Sequence, residues 1–198
     1  MASRLDPVRR LLRDEEVRSI SRRYLVSNGF DGALTCVGVV VGAFLTGVAN
    51  GLVVVQIGLG AAVGLATSGV WSVWEIERAE KLADLQSVED AMLTDLADTR
   101  LARDLSGARV VNAVASGIGP LVGILVPLVP FLVTGDPFSV EFLSLRAATV
   151  ASVGLAVAVL FGFGAYMGRI SKQRWYVAGV RMGLAGLVVA AINLLLPG

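Results

Sequence analysis

The chain has 198 residues, of which 55% are hydrophobic and only 17% charged, and it carries 23 glycines. Its mean hydropathy is +0.74, a composition that suits membrane helices and not a soluble domain of this length. A net charge of +1 gives no electrostatic basis for binding nucleic acid, and the absence of histidine with a lone cysteine, Cys36, rules out triads, His metal sites and disulfide frameworks within one chain. No enzymatic activity and no resident cofactor are therefore expected, and Cys36 is read as a packing residue.

Residues 1–23 form a basic leader with seven arginines (Arg4, Arg9, Arg10, Arg13, Arg18, Arg22 and Arg23) against four acids, interspersed with Val8, Leu11, Leu12, Val17 and Ile20. Asp6 before Pro7 is a helix start signal. The pattern predicts either an amphipathic helix lying on an anionic membrane surface or a plain solvated leader. No cleavable signal is expected, because the first apolar run begins late and reaches spanning length.

Five apolar segments follow, at 24–49, 52–74, 110–133, 146–170 and 175–196, each near or above the roughly 20 residues that a spanning helix needs. The expected fold is an all-α integral membrane protein with five transmembrane helices. Its parts are the leader at 1–23, helices 1 and 2 within 24–74, an acidic helical insert at 75–109, and helices 3 to 5 within 110–198. Asn50 and Gly51 predict a tight turn, so the first two helices form a hairpin. Pro120, Pro127 and Pro130 in "GIGPLVGILVPLVPFL" each lack a backbone donor and predict a bent third helix.

Every Lys and Arg except Arg146 falls on one side of the spans so drawn. The positive-inside rule makes that side cytoplasmic, which puts the N-terminus and the insert inside and the C-terminus on the opposite face. Glycines four apart recur at Gly38 and Gly42, Gly60 and Gly64, Gly119 and Gly123, Gly164 and Gly168, and Gly179 and Gly183. Such pairs let helix backbones approach, and the Gly38 and Gly42 pair is expected at a contact within the chain or between copies.

Two groups of acids carry the chemistry. The insert "EIERAEKLADLQSVEDAMLTDLADTRLARDLS" holds nine of the sixteen acids. In it Glu77, Glu80 and Asp84 are spaced i, i+3, i+7 and share one side of a helix, where their oxygens could converge on a divalent cation. The competing reading is a solvated helix laced by pairs such as Glu77 with Lys81. Asp31 is the single acid within the spans. With the first helix entering at Tyr24 it lies about 10 Å deep, where a carboxylate costs on the order of 2 to 3 kcal/mol and marks a functional candidate. It is open to three readings: cation or proton handling, an ion pair with Arg181, or an N-cap for a helix that starts after Asn28 and Gly29.

These residues resemble a known family. "NGFDGALTCVGVVVGA" resembles the first-helix signature of the vacuolar iron transporter (VIT) family, "GPLVGILVPLVPFL" is similar to its proline-rich third helix, and "GVRMGLAGLVVAA" to its Gly/Ala-rich last one. The resemblance covers residues 22–197 and fits a prokaryotic-type member with a short insert. It implies a homodimeric transporter that exports Fe(II) or Mn(II) from the cytosol in exchange for protons, the first helices lining a path between subunits. Asp31 would then be a ligand or proton carrier in the path, and Glu77, Glu80, Asp84 and Met92 would capture metal at its cytoplasmic mouth. Many members carry an acid near the cytoplasmic end of the second helix, where this chain has Val70 or Trp71; its first acid there is Glu75, which joins the candidate ligands. A reading of another class is a non-transporting membrane scaffold or regulator whose acidic hairpin binds a partner.

Overall fold

A computed structural model describes residues 14–92, 100–134 and 144–195, and the side chains of all of these except residues 92 and 100–106. Five long helices make up the described chain: α1 (Glu15–Leu45), α2 (Gly51–Met92), α3 (Arg100–Leu128), α4 (Leu145–Ile170) and α5 (Trp175–Leu195), with a 3₁₀ turn at Val129–Val133 after α3. All five are long and apolar enough to cross a membrane. The fold is that of an all-α, multi-pass integral membrane protein.

Helix α1 starts where its cap stands. The Asp14 carboxylate accepts from the backbone N–H of Glu16 at 2.9 Å and of Val17 at 3.4 Å, and Glu15 and Glu16 place negative charge on the positive end of the helix dipole. The boundary expected at residue 24 therefore falls inside the helix, and residues 15–23 are its first turns. Residues 1–13, with the Asp6 and Pro7 signal, lie outside the described residues. At the other end the Thr46 hydroxyl donates to the Gly42 carbonyl at 2.9 Å, and Gly47 turns the chain with φ +70°. Asn50 then caps α2 through its side-chain oxygen, which accepts from the Leu52 N–H at 2.8 Å. The connection is thus five residues long, and Asn50 closes it.

Helix α2 has 42 residues, about 63 Å at 1.5 Å per residue, or twice the hydrocarbon thickness of a bilayer. No glycine or proline interrupts residues 70–92, and Ala, Leu, Glu and Lys there are strong helix formers. The acidic segment from Glu75 to Met92 is therefore the continuation of α2, residues 93–99 lie outside the described residues, and residues 100–109 already belong to α3. In α3 the helix runs through Pro120 and Pro127 and tightens into the 3₁₀ turn around Pro130.

The bundle centres on α1 against α3, with α2 on the other flank of α3 and α4 paired with α5. Where α1 and α3 cross, their backbones nearly touch. A Cβ on Gly119 would lie 2.5 Å from the Leu25 carbonyl oxygen and 2.7 Å from the Gly29 nitrogen; one on Gly123 would strike the Gly29 carbonyl and lie 2.7 Å from the Ala33 nitrogen. From the α1 side, a Cβ on Gly32 would lie 2.7 Å from Pro120 Cα. Gly164 and Gly168 play the same part against Ala178 and Trp175. Below the crossing, Cys36, Val40, Val54, Ile124, Leu128 and Phe131 form the buried core, with Cys36 Sγ 3.7 Å from the Ile124 carbonyl. Of the two contacts expected for the Gly38 and Gly42 pair, within the chain or between copies, no close one within the chain is made among the described residues. Gly38 has only Asn193 at 4.0 Å, and a Cβ on Gly42, Gly60 or Gly64 would meet no atom within 4 Å.

Overpacking the α1–α3 crossing should cost at least about 1 to 3 kcal/mol. We expect Gly123→Leu to lower the thermal unfolding midpoint in detergent by many degrees, while Gly154→Ala, whose Cβ would meet nothing within 4 Å, leaves it near the parent's. Equal midpoints would show that the backbones are not in contact.

Candidate functional site

The crossing decides which way Asp31 faces. With Gly29, Gly32, Ala33, Cys36, Val37 and Val40 buried, the opposite side of α1 carries Ser27, Asp31, Thr35, Gly38 and Gly42, exposed or half-exposed at spacings of four, four, three and four. Asp31 stands near the middle of a 31-residue helix. This position excludes the N-cap reading, because the cap is Asp14. The ion-pair reading fails too: the pairs among the described residues are Glu75 with Arg78, Glu16 with Lys81 and Lys81 with Asp84. Asp31 and Arg181 are both exposed and belong to none of them. What remains of the three readings is a carboxylate presented outward from the middle of a membrane-spanning helix.

One turn before Asp31, Asn28 joins α1 to α3. Pro120 has no N–H to give the Ser116 carbonyl four residues earlier, and Asn28 Nδ2 supplies the missing donor at 3.3 Å while also bonding the Ser116 hydroxyl. Ser116 is fully buried. One amide thus satisfies the carbonyl that a proline orphaned and fixes the rotation of α1. Neither residue stood out in the sequence; the signal was Asn28 and Ser116 as polar residues inside apolar windows, with Ser116 four before a proline.

The acids of α2 are placed unequally. Glu77 is only 2% exposed. Its Oε1 accepts from the Tyr24 hydroxyl at 3.4 Å, and its Oε2 is buried with no hydrogen-bond partner. Around it at the same end of the bundle, the Ser21 hydroxyl donates to Asn112 Oδ1 at 2.7 Å, and the Arg109 guanidinium lies 4.1 Å from the centre of the Trp74 ring. Glu75, Glu80 and Asp84 are exposed, Glu75 lying 3.9 Å from Arg78 and Asp84 4.0 Å from Lys81. Glu77, Glu80 and Asp84 share a side of α2 as their spacing requires, but that side is covered at Glu77 and open beyond it. The side chain of Met92 lies outside the described residues. Among the described residues, no three Cys, Asp or Glu side chains gather closely enough to hold a metal ion.

Five helices long and apolar enough to span a bilayer define a multi-pass membrane protein. The sequence model of the VIT family matches residues 73–196, so the chain belongs to that family, which points to transport of metal ions. The matched segment begins near the end of the α2 span and leaves α1 and Asp31 outside it. An uncharacterized protein of the archaeon Methanocaldococcus jannaschii is 26% identical over 173 residues, 86% of this chain and 85% of that protein. No solved structure matches the chain.

Removing the Asn28 amide leaves the Ser116 carbonyl buried without a donor, a loss of about 1 to 3 kcal/mol. Asn28→Leu should lower the unfolding midpoint clearly more than Ser116→Ala, which keeps the bond to the backbone carbonyl. The reverse order would place the main interaction on the Ser116 hydroxyl.

Proposed function

We propose that the protein is a homodimeric carrier that moves Fe(II) or Mn(II) out of the cytosol in exchange for protons, with the N-terminus cytoplasmic and the C-terminus on the other face. The observation that carries this reading is the outward carboxylate of Asp31, which has no ion-pair partner among the described residues. Facing hydrocarbon it would cost on the order of 2.5 to 3.5 kcal/mol by insertion scales; facing its counterpart in a second copy, it becomes half of an acidic site in a shared path. The rest of the stripe suits that role. Thr35 adds a hydroxyl one turn away, and Gly38 and Gly42 offer a smooth surface to a partner helix.

The donors along this face are oxygens, with neither histidine nor methionine among them, and oxygen donors suit hard ions such as Mn(II) better than soft ones. On α2, Glu75, Glu80 and Asp84 form an exposed acidic rod that raises the local concentration of cations where metal enters. Glu77, whose Oε2 is buried without a hydrogen-bond partner at the base of that rod, is the most enclosed of the series and the group we assign to pass the ion on toward the span. A scaffold that used the rod only to hold a partner protein would not need Asp31.

Asp31→Asn keeps the size of the side chain and removes its charge. In proteoliposomes with an imposed pH gradient, we expect Mn(II) and Fe(II) flux to fall to near background while the unfolding midpoint stays close to the parent's. Robust flux by a folded Asp31→Asn protein would remove the carboxylate from the path and with it the proposed mechanism.

A further inference from the structure

At the end of the bundle where α1 begins and α4 finishes, a cavity of about 210 Å³ lies between the two helices, lined by Ser19, Ile20, Arg22, Arg23, Met167 and Ile170. Its lining is mostly apolar, and Ser19, Arg22 and Arg23 supply its small polar part. Neither Arg22 nor Arg23 forms an ion pair with an acid among the described residues. Arg23 lies 5.5 Å from the centre of the Tyr24 ring, and Glu16, an acid on the preceding turns of α1, is drawn away to Lys81 on α2 at 3.8 Å. The α4–α5 turn at the same end adds exposed Arg169, Lys172 and Arg174, the first of them 5.7 Å from the centre of the Trp175 ring. Trp175 and Tyr176 are both about half exposed, as aromatic side chains at the headgroup level of a bilayer are.

We propose that this cavity binds an anionic phospholipid, with the phosphate on Arg22, Arg23 and Ser19 and the start of an acyl chain along Ile20, Met167 and Ile170. The chemistry selects this occupant on three counts. Arginine forks hold phosphate oxygens by paired, charge-assisted hydrogen bonds. Basic pockets between spanning helices are lipid headgroup sites. The mostly apolar lining leaves room for a chain that free phosphate lacks. The site lies two to three turns before Asp31 on α1, where it anchors the first turns of the helix to α4 and takes no part in the path itself.

The test uses the full-length protein in detergent, titrated with phosphatidylglycerol, phosphatidylcholine or inorganic phosphate, and read by thermal unfolding and by lipid adducts in native mass spectrometry. Phosphatidylglycerol should raise the unfolding midpoint and give a retained adduct, and the other two should do neither. Arg22→Gln with Arg23→Gln should weaken the phosphatidylglycerol response about tenfold or more, while Arg78→Gln on the projecting part of α2 keeps it in full. Ile170→Trp, which fills the apolar side and retains both arginines, should lower adduct formation as well and keeps the test decisive if the double variant folds poorly. An undiminished adduct in both cavity variants, or an equal stabilisation by inorganic phosphate, would overturn the proposal. So would a double variant that loses stability without lipid yet responds to lipid as the parent does, because the cavity would then serve another part of the chain.

Discussion

The closeness of α1 to α3 is the constraint from which the arrangement follows. Gly29 and Gly32 on one helix meet Gly119, Pro120 and Gly123 on the other with no side chain between the backbones. Contacts this short need a partner that lacks a Cβ on at least one side, and in a membrane they supply the dispersion energy that the hydrophobic effect cannot. They also fix the rotation of α1 about its own axis. Pro120 stands at the crossing, and the carbonyl that it leaves without a donor is taken by Asn28, so the rotation is held by a polar bond as well as by shape.

Once that rotation is fixed, Asp31 has only one direction to face. Burying Gly29, Ala33 and Cys36 turns Ser27, Asp31, Thr35, Gly38 and Gly42 outward. An outward stripe of polar and small residues is poorly suited to lipid and well suited to another helix, which is why the proposed function calls on a second copy. Helix α2 is tied to this frame at two levels, by Tyr24 to Glu77 and by Glu16 to Lys81. The acidic half of α2 is therefore fixed against the helix that carries Asp31.

Much of the fold was legible in the sequence because hydropathy over some 20 residues is a strong signal, and the five spans and the all-α class follow from it. The ends of the helices were not, because helix-forming residues continue past the apolar window: α1 reaches back to its cap at Asp14, and α2 runs on through Glu75 to Met92. Glycine spacing was equally visible at five places, yet Gly119 and Gly123 are in tight contact while Gly60 and Gly64 meet nothing; spacing says that a helix can approach another, and only the neighbour decides whether it does. Asp31 was conspicuous as the single acid in the spans, but its partners could be decided only by the rotation of α1. The difference between buried Glu77 and exposed Glu80 was invisible for the same reason, since both lie on one side of α2. The Asn28 and Ser116 pair depends on a proline in another helix, a relation that no local pattern encodes.

The central claim is that the polar face of α1 meets its counterpart in a second copy. Its most direct measurement is cross-linking in native membranes with a short bifunctional thiol reagent, using a single cysteine at Thr35 in a Cys36→Ala background and, as a comparison, one at Tyr166, which is 43% exposed on α4. The account predicts a covalent dimer from Thr35→Cys and monomer from Tyr166→Cys. A Thr35→Cys protein that stays monomeric, with or without linkage at position 166, would contradict it.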